Sequence, residues 1–248
     1  MKNIILSLAI ILISCKETTK EKQKIELDNK AEKATSNDWV YLFDGETFNG
    51  WHQYNKKEMS PAWSIKDGAM TFSPLEKNYG GSHDIITDNS FTNFILSLEW
   101  KISKNGNSGI FWSVKEDPKY YAPYQSGPEI QVLDNDGHPD AFIKPKFHQA
   151  GALYDLVEPK SDVCNPAENW NHVLLEINHN KNQGSVKLNG TEIVAFPVNG
   201  KEWQDLLIGS KFESKEFKDL GIYQTGHIGL QDHGDIVSFR NIKIREIE

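Results

Sequence analysis

The stretch Phe94-Ile95-Leu96-Ser97-Leu98-Glu99-Trp100-Lys101-Ile102 decides the fold, because its large apolar residues fall on every second position. Phe94, Leu96, Leu98, Trp100 and Ile102 share one face, and Ile95, Ser97, Glu99 and Lys101 share the other. This is the signature of a strand with one face in a core and one mostly polar face. Val173, Leu175 and Ile177 repeat the pattern. Further on, Ser185-Val186-Lys187-Leu188 and Thr191-Glu192-Ile193-Val194 flank Asn189-Gly190. Asn-Gly supplies the positive φ angles of a two-residue type I′ hairpin turn. Residues 201–207 and 214–220 suit a turn or two of helix, and no segment shows long helical periodicity. Many short strands parted by Gly, Asn and Pro turns point to an all-β sandwich or jelly roll.

In the 248-residue chain, Met1 to Ser14 carries one early lysine, Lys2, and then a short apolar run that ends Leu12-Ile13-Ser14-Cys15. That run is too short to span a bilayer and reads as a lipoprotein signal peptide over residues 1–14, with Cys15 the lipidated first residue of the mature chain. Residues 15–37 are rich in Lys, Glu, Thr and Asn and read as a flexible tether. The expectation is a single domain over 38–248, held in the cell envelope outside the cytoplasm, periplasmic or on the outer membrane, by its lipid alone. Of the two cysteines, Cys164 then has no partner for a disulfide. A net charge of −8 argues against nucleic acid and favours neutral ligands such as glycans. Seven Trp, eight Tyr and twelve Phe supply rings for sheet packing or for stacking on sugars.

The strand Gly127-Pro128-Glu129-Ile130-Gln131-Val132-Leu133-Asp134 is the chemical centre of the sequence. Alternation places Glu129 and Gln131 on one face and Ile130 and Val132 on the other. A carboxylate beside a carboxamide suits a groove for polyols. Gln231 and His233 alternate on a strand taken to end at Gly234, and His233 is a base suited to neutral pH. His148 and Tyr154 share a face if their segment is a regular strand, and suit proton shuttling or hydroxyl binding. Arg240, in an apolar terminal strand, is a candidate for an oxyanion. Asn107 suits a hydroxyl contact and Trp112 a stacking platform, although alternation puts them on opposite faces unless Gly109 makes a bulge. Asp134-Asn135-Asp136-Gly137 with Asp140 offers oxygens for calcium, but lacks EF-hand spacing and a closing Glu and reads better as a plain Asp-Gly turn. No zinc pattern or dinucleotide fingerprint is present, and no cofactor is expected.

Taken in order, Leu42-Phe43-Asp44-Gly45 with Gly50-Trp51, Trp63 to Gly68, Asp84-Ile85-Ile86-Thr87, Phe94 to Lys101, Asn107 to Phe111, Pro128 to Asp134, Gly151 to Tyr154, Trp170-Asn171, Leu188-Asn189-Gly190, Gly226 to Gly234 and Phe239 to Ile242 resemble the 3-keto-disaccharide hydrolase domain family. The resemblance covers everything after the tether. It implies the concanavalin A-like lectin/glucanase jelly roll and cleavage of glycosides already oxidised at C3, with an upstream sugar 3-oxidoreductase as pathway partner. A C3 ketone acidifies the C2 proton, so that a modest base can remove it and the enolate can expel the C1 substituent, giving a hydrolase or a lyase according to whether water adds back. Such a site needs a base near C2, donors for the enolate oxygen and an acid for the leaving group. Glu129 stands where related sandwich glucanases carry a catalytic carboxylate, whereas Gln131 replaces a second one, which disfavours an ordinary two-carboxylate mechanism. A non-catalytic carbohydrate-binding module is the alternative reading, since fold does not fix function.

Overall fold

The computed structural model describes residues 38–75 and 82–248. The expected signal peptide, Cys15 and the tether lie outside the described residues. Among those described, thirteen strands form two antiparallel sheets. In chain order they are β1 (Val40–Tyr41), β2 (Trp51–Gln53), β3 (Trp63–Lys66), β4 (Ala69–Phe72), β5 (Ile85–Phe91), β6 (Phe94–Ile102), β7 (Asn107–Val114), β8 (Glu129–Leu133), β9 (Asn171–Asn178), β10 (Gln183–Leu188), β11 (Thr191–Phe196), β12 (Gly226–Leu230) and β13 (Val237–Glu246). One sheet runs β11-β10-β9-β6-β13-β4-β3, with β1 paired to β13, and the other runs β2-β5-β12-β7-β8. The result is a jelly-roll β-sandwich.

The alternation of β6 explains its place. Phe94, Leu96, Leu98, Trp100 and Ile102 are at most 1% exposed and pack with Ile110, Trp112, Ile130, Val132, Ile228 and Leu230 from the facing sheet. Each such side chain contributes about 1.5–3 kcal/mol by leaving water. Asn189 and Gly190 take φ of 49° and 84° between β10 and β11, as the hairpin requires. Helix α1 (Asp140–Ile143) is a single turn, and α2 (Gly200–Leu207) carries the fully buried Trp203. Residues 215–217 make a 3-10 turn where a longer helical segment was expected.

The outer face of the five-stranded sheet positions the site. Register aligns Glu129 with Phe111 of β7 and Gln131 with Gly109, so these side chains share the face turned away from Ile130 and Val132 in the core. Strand β8 is an edge strand, and residues 151–154 cover that edge. Gln131 N–H donates to Ala152 O at 3.0 Å, Gly151 N–H to Gln131 O at 2.8 Å, and Tyr154 N–H to Glu129 O at 3.0 Å. A bare edge would offer these groups to other chains, and here they deliver Tyr154 beside Glu129 instead.

Candidate active site

A cavity of about 300 Å³ opens on this face, floored by Asn107, Glu129, Gln131 and Gln231, with His233 at its rim. Glu129 is 9% exposed, and among the described residues no hydrogen bond reaches its carboxylate. Burial, with the carboxylates of Asp84 and Asp140 adding to it, pushes the carboxyl up to about 8, and the Lys211 ammonium opposes the rise. Three amide atoms around it are buried with no partner among the described residues: Asn107 Oδ1, Gln131 Nε2 and Gln231 Oε1. An unmade hydrogen bond of this kind costs about 1–3 kcal/mol. Three such atoms on one floor form a set of acceptors and donors waiting for the hydroxyls or carbonyl of a ligand.

The opposite wall is aromatic. Rings follow one another from the mouth inward, Tyr121 to Tyr124 at 5.8 Å, Tyr124 to Phe217 at 6.3 Å, Phe217 to Phe212 at 5.1 Å and Phe212 to Tyr154 at 6.4 Å. Such a wall suits the apolar face of a sugar ring or another planar group. Packing from elsewhere holds it in place. Trp203 of α2 donates from Nε1 to Leu220 O at 3.1 Å and lies where any Cβ at Gly221 would stand, so the segment carrying Lys211 to Phe217 is pinned at its end. The Tyr121 hydroxyl donates to Glu216 across the mouth.

The deeper support is a charged cluster. His148 bonds Asp140 Oδ1 through Nδ1 at 2.9 Å and Asp155 Oδ1 through Nε2 at 2.8 Å, and its ring stacks on Tyr154 at 4.4 Å. The Tyr154 hydroxyl donates to Asp140 Oδ2 at 2.9 Å, and burial, with Asp140 beside it, pushes that phenol up. Burial alone would raise Asp155, but the Lys211 N–H, His148 and Lys144 outweigh it and hold that carboxyl below the usual range.

Several expected site residues lie elsewhere or act otherwise. His148 does not line the cavity: both its nitrogens are taken by carboxylates, and its ring stacks on Tyr154, which does. The two rings do meet, but in a turn-rich segment and not on a regular strand. Trp112 is fully buried against Phe196 and Trp203, because alternation along β7 turns it into the core. Arg240 belongs to the outer face of the other sheet, where its Nε donates to Glu99 Oε2 at 2.7 Å and its guanidinium lies 3.9 Å over Trp170. Asp134 accepts the Asn105 N–H at 2.8 Å and the Asp136 N–H at 3.3 Å and shapes a turn. Of the other oxygens considered for calcium, that of Asn135 accepts the Ala150 N–H at 2.8 Å and those of Asp140 are engaged by His148 and Tyr154. No group of three or more metal-ligating side chains occurs among the described residues.

Strand β12 ends at Leu230, not at Gly234. Gln231 and His233 still line the cavity because the turn between them is held, with Asp232 N–H donating to Asp84 Oδ1 at 2.7 Å. Lys211, Phe212, Phe217, Tyr121 and Tyr124 were not legible beforehand. Tyr124, Lys211, Phe212 and Phe217 sit in single 3-10 turns and Tyr121 in the loop before one, segments too short to carry a periodic pattern.

A jelly-roll sandwich with a polar floor and an aromatic wall on one sheet defines a protein of the carbohydrate-handling β-sandwich class. The chain belongs to the 3-keto-alpha-glucoside-1,2-lyase-like domain family, whose model matches residues 38–245. It is 34% identical, over 93% of its own length and 86% of the relative's, to a 3-keto-disaccharide hydrolase of Bacteroides thetaiotaomicron. A crystal structure described as a glycosyl hydrolase from Parabacteroides distasonis superposes with a TM-score of 0.77 at 30% identity, covering 89% of this chain and 97% of that one. A second from the same organism gives a TM-score of 0.66 at 26% identity, covering 85% of this chain and all of the other.

Proposed function

We propose that this protein cleaves the glycosidic bond of 3-keto-glycosides, 3-keto-disaccharides among them, by removing the C2 proton and expelling the C1 substituent. The observation that carries the reading is the Glu129 carboxyl, raised to about 8 and, among the described residues, without a hydrogen bond and set among three amide atoms that lack partners. A base tuned toward the operating pH is what abstraction beside a ketone needs, since its ionised form is still present at neutral pH and is more basic than an ordinary carboxylate. Asn107, Gln131 and Gln231 hold the oxygens of the keto-sugar ring. The aromatic wall takes the leaving portion, and His233 at the rim supplies or relays its proton. Gln131 stands beside Glu129 where a second floor carboxylate would serve a displacement mechanism, which favours elimination. The membership of the chain in its family and the name of its Bacteroides relative support the same substrate class. The substrate must come from a reaction that oxidises a glycoside hydroxyl at C3 to a ketone, the upstream oxidoreductase step.

Incubating the purified chain with a 3-keto-glucoside and, separately, with the parent glucoside tests this. Release of aglycone from the keto-sugar alone is the expected result. Equal release from both overturns elimination, and binding of glycan without cleavage of either assigns the cavity to a carbohydrate-binding module.

A further inference from the structure

Lys211 is a cation in the cavity wall that the described residues leave without an anion. Its ammonium lies 3.9 Å over the Tyr154 ring and 5.1 Å from that of Phe212, and it has neither a hydrogen bond nor an ion pair. Its neighbour Lys144 shows the contrast. That ammonium pairs with Asp155 Oδ1 at 3.1 Å, while Asp155 Oδ2 takes only the backbone N–H of Lys211, at 2.7 Å. Asp155 and Asp140 are therefore spent on other donors, Glu129 lines the cavity without pairing to the ammonium, and a partly buried charge is held without an ion pair at a cost in stability. Burial lowers the ammonium from its ordinary value, and Glu129, Asp155 and Asp140 act the other way. Glu129 and Lys211 line the same cavity without forming a salt bridge, so a base and a cation both face the space open to a ligand.

We propose that the Lys211 ammonium binds the C3 oxygen of the keto-sugar and carries the negative charge that collects there when C2 loses its proton. This rests on the functional reading above. The ionised Glu129 takes the C2 proton; the C–H electron pair becomes a C2–C3 double bond, and the carbonyl pair moves onto the C3 oxygen beside Lys211. The enolate then collapses. The C3 carbonyl re-forms, a C1–C2 double bond forms, and the C1–O bond breaks with its pair leaving on the aglycone oxygen, which is protonated. A donor placed where charge develops, and not where it already exists, lowers the barrier to the first of these steps.

The test separates the two steps. Lys211→Met in the full chain is compared with wild type on the methyl and 4-nitrophenyl 3-keto-glucosides, and on 3-keto-1,5-anhydroglucitol, which lacks a leaving group and reports only exchange of its C2 proton in deuterium oxide. The expected result is a fall of about 10²–10³-fold in exchange and in cleavage, similar for both leaving groups, with a melting temperature equal to or above wild type. Lys211→Arg, which keeps the charge, recovers part of the loss. Wild-type exchange in Lys211→Met overturns the proposal, as does a loss confined to the methyl glycoside, which would make Lys211 the acid for the leaving group. Borohydride trapping of substrate on Lys211 overturns it in favour of an iminium. Wild type inert on both keto-glucosides overturns the functional reading and this proposal together, whereas active wild type with an equally active Lys211→Met overturns this proposal alone.

Discussion

The side chain of Glu129 lies directly against Gly109 on the neighbouring strand, so that a Cβ at 109 would stand 2.7 Å from Glu129 Cδ and 2.8 Å from Cγ. The three nearest atoms belong to that one side chain and none to backbone. Glycine at 109 therefore serves the carboxylate's position and not the conformation of the strand.

Gly109→Ala follows from that contact. The added methyl displaces the carboxylate, which can swing into the cavity at little cost to the fold. Turnover of a 3-keto-glucoside should fall by about 10–100-fold, because an ångström of misplacement costs that much in an oriented reaction. The melting temperature should stay within a few degrees of wild type. A Gly109→Ala protein with unchanged turnover would mean that the carboxylate is not held where the chemistry happens.

Stability should fall as pH rises from about 4 to about 8. Burial raises Glu129 to about 8, and burial with the nearby Asp232 carboxylate raises Asp84 to about 7 against the hydrogen bonds from Ser82 and the Asp232 N–H. Both groups hold their protons more tightly folded than unfolded. Across that window the folded chain binds more protons, and each rise in pH favours unfolding, the reverse of a salt-bridged carboxylate. The loss amounts to on the order of a few kcal/mol. Denaturant melts at pH 5 and pH 8.5 measure it. A Glu129→Gln, Asp84→Asn double variant should show a flatter profile, and an equal slope in the two proteins would count against protonated, buried carboxyls at these positions.

The fold was legible because burial leaves a periodic trace. The apolar residues of Phe94 to Ile102 alternate in the sequence and are all buried in the structure, with Ser97 the one residue of the other face buried as well, and Glu129 and Gln131 part from Ile130 and Val132 by the same rule. Where alternation was trusted beyond a strand it misled. Gln231 and His233 share the cavity through a turn tied to Asp84, and His148 meets Tyr154 through a clamp of two aspartates. Arg240 illustrates a different limit, since its neighbours in sequence do not reveal which sheet or which face it occupies; Glu99 and Trp170, far away in the chain, decide that. Lys211 and the aromatic wall left no trace because their position depends on Trp203 anchoring Leu220 and on Asp155 holding a backbone amide, contacts between segments remote in sequence.

The central claim is that Glu129 removes the C2 proton of a 3-keto-glycoside, and one kinetic comparison tests it most directly. Wild type and Glu129→Gln are assayed on 4-nitrophenyl 3-keto-glucoside carrying hydrogen or deuterium at C2. Wild type should react more slowly with the deuterated substrate. Glu129→Gln, folded by its melting temperature, should lose roughly 10²–10⁴-fold in kcat with KM little changed. A folded Glu129→Gln protein that releases nitrophenol at the wild-type rate, with the same isotope effect, would contradict the assignment.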